Sequence, residues 1–119
     1  MASILVAEDD QFTREMARRA LMTDGHDVIM AEDGSEALAL YRSGPGFDLV
    51  ITDVEMPNMS GLELAEALIA ENSAQRIIIM SGLADELVRA RDLLSPTVRM
   101  ITKPVTLEKI RGEAAELLA

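Results

Sequence analysis

Five residues of this chain are of types that, brought together, could handle a phosphoryl group, and each follows an apolar run. Glu8 and Asp9 follow "SILVA", with Asp10 next; Asp53 follows "LVIT", Ser81 follows "RIIIM" and Lys103 follows "MIT". Three carboxylates meeting at Glu8, Asp9 and Asp53 would repel one another unless a cation sat among them. Hard oxygen donors of this kind suit Mg²⁺, which keeps several of its waters. Lys103 adds a fixed positive charge and Ser81 a hydroxyl donor. Together they describe a pocket for a tetrahedral anion beside a metal, with Asp53 the most central candidate for the nucleophile.

These residues meet only if the elements carrying them end at one edge. The runs "SILVA" (3–7), "DVIMA" (27–31), "FDLVIT" (47–52), "RIIIM" (76–80) and "TVRMIT" (97–102) read as strands. Segments of helical period follow them: Phe12, Met16, Ala17, Ala20 and Leu21 share one face of the first, and Leu107, Ile110, Ala114, Leu117 and Leu118 one face of the last. The middle helices are carried by Ala37 and Tyr41, by Leu62, Ala65 and Ile69, and by Leu87, Val88 and Leu94, while Asp10, Ser60 and Thr106 are expected as N-caps. Strands apolar throughout, alternating with amphipathic helices, imply an α/β fold, (βα)5, with a doubly wound five-stranded parallel sheet. In such sheets the functional crevice lies beyond the carboxyl ends of the strands, where strand order reverses. Four of the five strands deliver a polar or charged group there, and the second delivers none. That exception fits the order 2-1-3-4-5, with the second strand at an edge.

Bulk properties narrow the function further. The 119 residues are about one ordinary domain, read here as a single unit over 1–119. Eleven basic against 21 acidic residues leave a formal charge of -10, which disfavours direct nucleic-acid binding and anionic membrane surfaces. Phe12, Tyr41 and Phe47 are too scattered for a base-stacking platform. No apolar run is long enough for membrane insertion, and no secretory leader or cysteine is present, so a cytoplasmic protein is expected. The single histidine, His26, lies in a "DGHD" turn and is read as structural.

Taken singly, each candidate has a plainer reading. Asp9 or Asp10 suits a helix cap, Ser81 a turn before Gly82, and Lys103 surface charge. The set is harder to explain away, because one lysine does not neutralise three acids.

The stretches "ILVAEDD", "VITDVEMPNMSG", "IIIMSG" and "MITKP", in this order and over essentially the whole chain, resemble the receiver domains of response regulators in bacterial two-component signalling. The 2-1-3-4-5 order is the known order of the chemotaxis (CheY-like) receiver and of flavodoxin, so it is not an independent result. The resemblance implies Asp53 as phosphoacceptor, Ser81 as switch hydroxyl, and Lys103 before a cis peptide to Pro104. It implies Mg²⁺ bound by Asp9 and Asp53, by Glu8 through water and by the backbone carbonyl of Glu55, with Pro57 and Gly61 shaping the loop. It also implies a sensor histidine kinase or histidine phosphotransfer protein as phosphoryl donor, self-catalysed phosphorylation and slow hydrolysis, and a protein target bound through the fourth helix, fifth strand and fifth helix. The "AEDD" start and non-aromatic residue before "TKP" look like stand-alone, CpdR-like cell-cycle adaptors.

Three departures stand out. Met100 occupies the position where many members carry a switching aromatic; "LLSPTVRMITKP" replaces a small Gly-Ala turn and carries Pro96, which implies an early end to the fourth helix; and Glu55 adds a carboxylate two residues after the acceptor. Other classes compete. Asp53-Val54-Glu55 imitates the acid-x-acid motif of haloacid dehalogenase-like phosphatases, but not on the first strand. An FMN binder of flavodoxin type would need Ser, Thr and Gly donors where "AEDDQFTRE" offers acids. A phosphate-independent interaction module of the same shape is the third alternative.

Overall fold

Five parallel strands form one sheet: β1 (Ser3–Ala7), β2 (Asp27–Ala31), β3 (Leu49–Asp53), β4 (Arg76–Ser81) and β5 (Val98–Thr102), in the order β2-β1-β3-β4-β5. The computed structural model describes residues 2–82 and 88–119. Around the sheet lie α1 (Gln11–Thr23), α2 (Gly34–Ser43), α3 (Gly61–Glu71), helical residues 88–90 (α4) leading into a 3-10 turn at Arg91–Leu93, and α5 (Leu107–Leu118). β1 and β2 have the bounds read from the sequence, while β3, β4 and β5 differ by one or two residues, β3 starting at Leu49 and ending on Asp53 itself.

The uninterrupted apolar strands follow from burial on both faces. Successive side chains point to opposite sides, so Ile4, Val6, Leu49, Ile51, Ile78 and Met80 pack with Leu21, Ile110 and Leu117 of α1 and α5. Leu5, Val50, Ile77 and Ile79 pack with Leu62, Leu64 and Leu68 of α3 and with Ala37 and Leu38 of α2. All five residues of β3 are buried, as the central position requires.

Helix starts are set by side-chain caps. Asp10 accepts from Thr13 N at 2.9 Å, Ser60 and Glu63 form a reciprocal capping box, and Thr106 accepts from Lys109 N at 3.1 Å. Asp33, which the sequence reading passed over, caps α2 through Glu36 N at 2.7 Å.

Four expected core residues are not in the core. Phe12 is 83% exposed and Leu107 44%. Both sit in the first turn of a helix, and helical side chains lean toward the N-terminus, so these two project past the end of the sheet instead of onto it. Val88 and Leu94 are also exposed, because Ala90 and Leu93 take the inward positions and the chain turns extended at Leu94. Leu87 lies outside the described residues. The early helix end expected before Pro96 is present, since α-helical geometry gives way to the 3-10 turn at Arg91. His26 has a structural partner: its Nδ1 accepts from Ala2 N at 3.0 Å.

Candidate functional site

Parallel register brings the carboxyl ends of β1, β3, β4 and β5 to one edge. Ala7 pairs with Thr52, Asp53 with Met80 and Ser81 with Thr102. Glu8, Asp9, Asp53, Ser81 and Lys103 therefore come to one edge of the sheet. β2 lies outside this group, at the far side of β1, and contributes only the Ala31 carbonyl that accepts from Glu8 N at 3.0 Å.

The three acids form a cluster in which one carboxylate oxygen from each lies within 4.8 Å of the others. Glu8 and Asp53 are 1% and 3% exposed, and Asp9 is exposed at the rim. The choice between Asp9 and Asp10 as helix cap is resolved by geometry. Asp10 turns to α1, accepting from both Thr13 N and Thr13 Oγ1, which leaves the Asp9 carboxylate in the cluster.

Lys103 reaches across from the end of β5 and donates from Nζ to Asp53 Oδ2 at 2.7 Å. Its backbone N–H donates to Ser81 O at 2.8 Å, tying the ends of β4 and β5, and the Lys103–Pro104 peptide is cis. Burial pulls the ammonium toward neutrality, but the hydrogen bond and charge of Asp53, with the charges of Glu8 and Glu55, outweigh it and hold Lys103 above the usual lysine range. Glu8 moves the other way for an acid. Burial, then a hydrogen bond to the Asp53 side chain and the Asp53 charge, push it from 4.5 up to about 8.

Among the described residues, no group donates to two buried oxygens, Glu8 Oε1 and Asp53 Oδ1, apart from a proton the two acids would share. Unsatisfied buried carboxylate oxygens side by side are costly unless a proton or a cation lies between them. The donor set, all oxygen and strongly negative, fits a hard divalent cation.

The loop after β3 is pinned from below. Gly61 N donates to Val54 O at 2.9 Å, and a Cβ at Gly61 would fall 1.9 Å from the Asp53 carbonyl oxygen, so only glycine permits this approach. Pro57 and Glu55 are exposed along the loop, Pro57 O accepting from Met59 N at 2.8 Å, and Asn58 takes φ 69°. Met100, on β5 beside Ile79, is half-buried against the α2–α3 side of the core.

Residues that the sequence reading missed tie the loops together. Asn58 Nδ2 donates to Asp33 Oδ2 at 3.0 Å, linking the loop after β3 to that after β2. Arg14 NH1 donates to the backbone oxygens of Glu8 at 2.9 Å and Asp9 at 3.4 Å. The one available signal for Arg14 was a base one turn inside the helix that follows the acids.

The sequence pattern described as "Response regulator receiver domain" matches residues 4–115. The chain belongs to this family. This receiver is 36% identical to the sensor protein EvgS of Escherichia coli over 97% of its length, but covers 10% of that protein. It is 34% identical to the response regulator MprA of Mycolicibacterium vanbaalenii, again over 97% of its length and over 49% of that protein. It thus spans half or less of these two curated relatives. Among solved structures it resembles the response regulator TrrA of Thermotoga maritima, in complex with Mg²⁺-BeF, with a TM-score of 0.88, 29% identity and coverage of 99% of this chain and 100% of that one.

As a receiver domain of two-component signalling, the chain is a phosphoacceptor, and the acidic cluster of Glu8, Asp9 and Asp53 is consistent with a phosphorylation site. The phosphatase and FMN-binding alternatives fall with that assignment. Among the described residues, no helix is long and apolar enough to cross a membrane.

Proposed function

We infer that Asp53 takes a phosphoryl group from a phosphohistidine on a sensor kinase or phosphotransfer protein, and that this changes the surface offered to a target protein. The observation that carries this reading is the state of the Asp53 carboxylate. Lys103 holds Oδ2 at 2.7 Å, while Oδ1 is buried, with no donor among the described residues, beside a Glu8 oxygen in the same state. A carboxylate fixed at one oxygen and unsatisfied at the other is oriented for attack.

In the reaction, an Asp53 oxygen attacks phosphorus, the bond from phosphorus to the histidine nitrogen breaks, and its electron pair leaves with the imidazole. Lys103 would neutralise charge on the transferred group, and the Ser81 hydroxyl would serve as a donor to it. Glu8, Asp9, Asp53 and the Glu55 carbonyl would hold Mg²⁺, with which TrrA was solved. Bound there, the ion would offset negative charge on the phosphoryl oxygens.

A protein donor has an approach on the α1 side. Exposed Phe12 and half-buried Met16 flank a groove of about 640 Å³ lined also by Val105 and Leu107, and a smaller hollow continues it past Pro104 to Lys103. For the output, the face of α4, β5 and α5 presents exposed Val88 and Leu94, and half-buried Met100 on β5 would respond by repacking where many relatives turn a ring. Neither the groove nor the relatives support the finer CpdR-like likeness, and it is not included. A cytoplasmic receiver domain over 1–119 completes the reading.

Intact mass after incubation with Mg²⁺ and acetyl phosphate tests it. One added phosphoryl group, absent in Asp53→Asn and with chelator, is the expected result; uptake retained by Asp53→Asn would overturn the assignment. A chain unlabelled by both acetyl phosphate and a panel of phosphohistidine donors would instead be a phosphate-independent module.

A further inference from the structure

Two of the three acids of the proposed cation site, Glu8 and Asp9, stand on the loop between β1 and α1, and their backbone carbonyls are held by one side chain. Arg14 lies one turn inside α1, with its side chain only 15% exposed. It points back along the helix, and NH1 donates to the carbonyl oxygens of Glu8 at 2.9 Å and of Asp9 at 3.4 Å. The other terminal nitrogen, NH2, faces Glu32 at 3.5 Å, at the end of β2. Glu32 is largely exposed, so this ion pair adds little energy and serves mainly to orient the guanidinium. Among the described residues, no other side chain holds either of those carbonyls.

We propose that Arg14 is a positioning residue for the divalent-cation site: by clamping the Glu8 and Asp9 carbonyls it sets the separation of two ligand carboxylates. The inference rests on the reading that Glu8, Asp9 and Asp53 hold Mg²⁺. It also ties Glu32, the residue just after β2, to the site, although neither it nor that strand supplies a ligand.

Two physical effects oppose each other here, and their signs differ. As a nearby positive charge, Arg14 repels a cation, so its removal by electrostatics alone should tighten Mg²⁺ binding. As a clamp, it keeps the ligand loop preorganised, so its removal should weaken binding, as loss of outer partners of metal ligands does. Lysine separates the two further. It keeps the charge but lacks the planar fork that spans two carbonyls and Glu32.

The test is titration of Mg²⁺ alone into the full chain, followed by amide NMR shifts, for the parent, Arg14→Met and Arg14→Lys. The metal-free spectra of the variants report directly whether they are folded. The expected result is a dissociation constant raised about tenfold or more in Arg14→Met and raised also in Arg14→Lys, with native metal-free dispersion. Affinity unchanged or tighter in Arg14→Met would overturn the inference while leaving the cation site standing. If Arg14→Met does not fold, Arg14→Lys decides alone, parental affinity counting against the clamp. No binding by the parent would overturn the site reading, and the inference with it.

Discussion

Lys103 and Asp53 are separated by 50 positions in sequence and by 2.7 Å between Nζ and Oδ2 in the fold. Among the described residues, the contact places one cation on the Asp53 carboxylate, whose other oxygen accepts from no donor. Removing the ammonium should slow chemistry without removing the acceptor. Lys103→Ala is expected to take up phosphoryl from acetyl phosphate roughly 10²-fold more slowly than the parent, the scale of losing one transition-state charge donor. A mass time course checks this, and an unaltered rate would exclude Lys103 from the reaction.

The high Glu8 pKa makes metal-free stability depend on pH in a defined direction. In the folded protein Glu8 keeps its proton to about pH 8, whereas an unfolded chain releases it near 4.5. Between these values the folded state holds the extra proton, so stability should fall as pH rises through that window. The parent without metal is expected to melt lower at pH 8 than at pH 6, by more than Glu8→Gln does. Mg²⁺ should raise the melting temperature more at pH 8 than at pH 6, because it replaces the proton among the acids. Equal pH dependence in parent and Glu8→Gln would refute the assignment.

Gly61→Ala places a Cβ on the Asp53 carbonyl oxygen, a backbone atom that cannot swing aside. It should cost at least about 2 kcal/mol in urea unfolding, on the scale of overpacking, and slow phosphoryl uptake by displacing the acceptor. Gly112→Ala, with nothing near its added carbon and a position inside α5, should be neutral or stabilising.

Phe12 and Leu21 share the apolar stripe of α1 but differ in burial, at 83% and 0% exposed. Leu21→Ala should cost about 2–5 kcal/mol, while Phe12→Ser should change stability by less than about 0.5 kcal/mol. If Phe12 serves donor docking, Phe12→Ser slows transfer from a phosphohistidine protein and leaves uptake from acetyl phosphate unchanged. Slowing of both would place Phe12 in the site itself.

Much of this molecule is legible in its sequence because the relevant physics is local or periodic. Apolar runs such as "SILVA" and "RIIIM" specify buried strands, Asp10, Ser60 and Thr106 mark helix starts, and the parallel βα alternation forces the strand ends, with Glu8, Asp9, Asp53, Ser81 and Lys103, to one edge. What tertiary structure decided are matters of direction and distance between segments remote in sequence. Helical period alone put Phe12 and Leu107 on the core stripe, but it says nothing of where the sheet ends beneath them. Composition allowed Asp9 or Asp10 to cap α1, and the Thr13 hydrogen bonds chose Asp10. Arg14 reads as ordinary helix charge until the turn of the chain brings two carbonyls beneath its guanidinium. Such contacts depend on how a side chain leaves its backbone and on which loop it meets, and no periodicity records either.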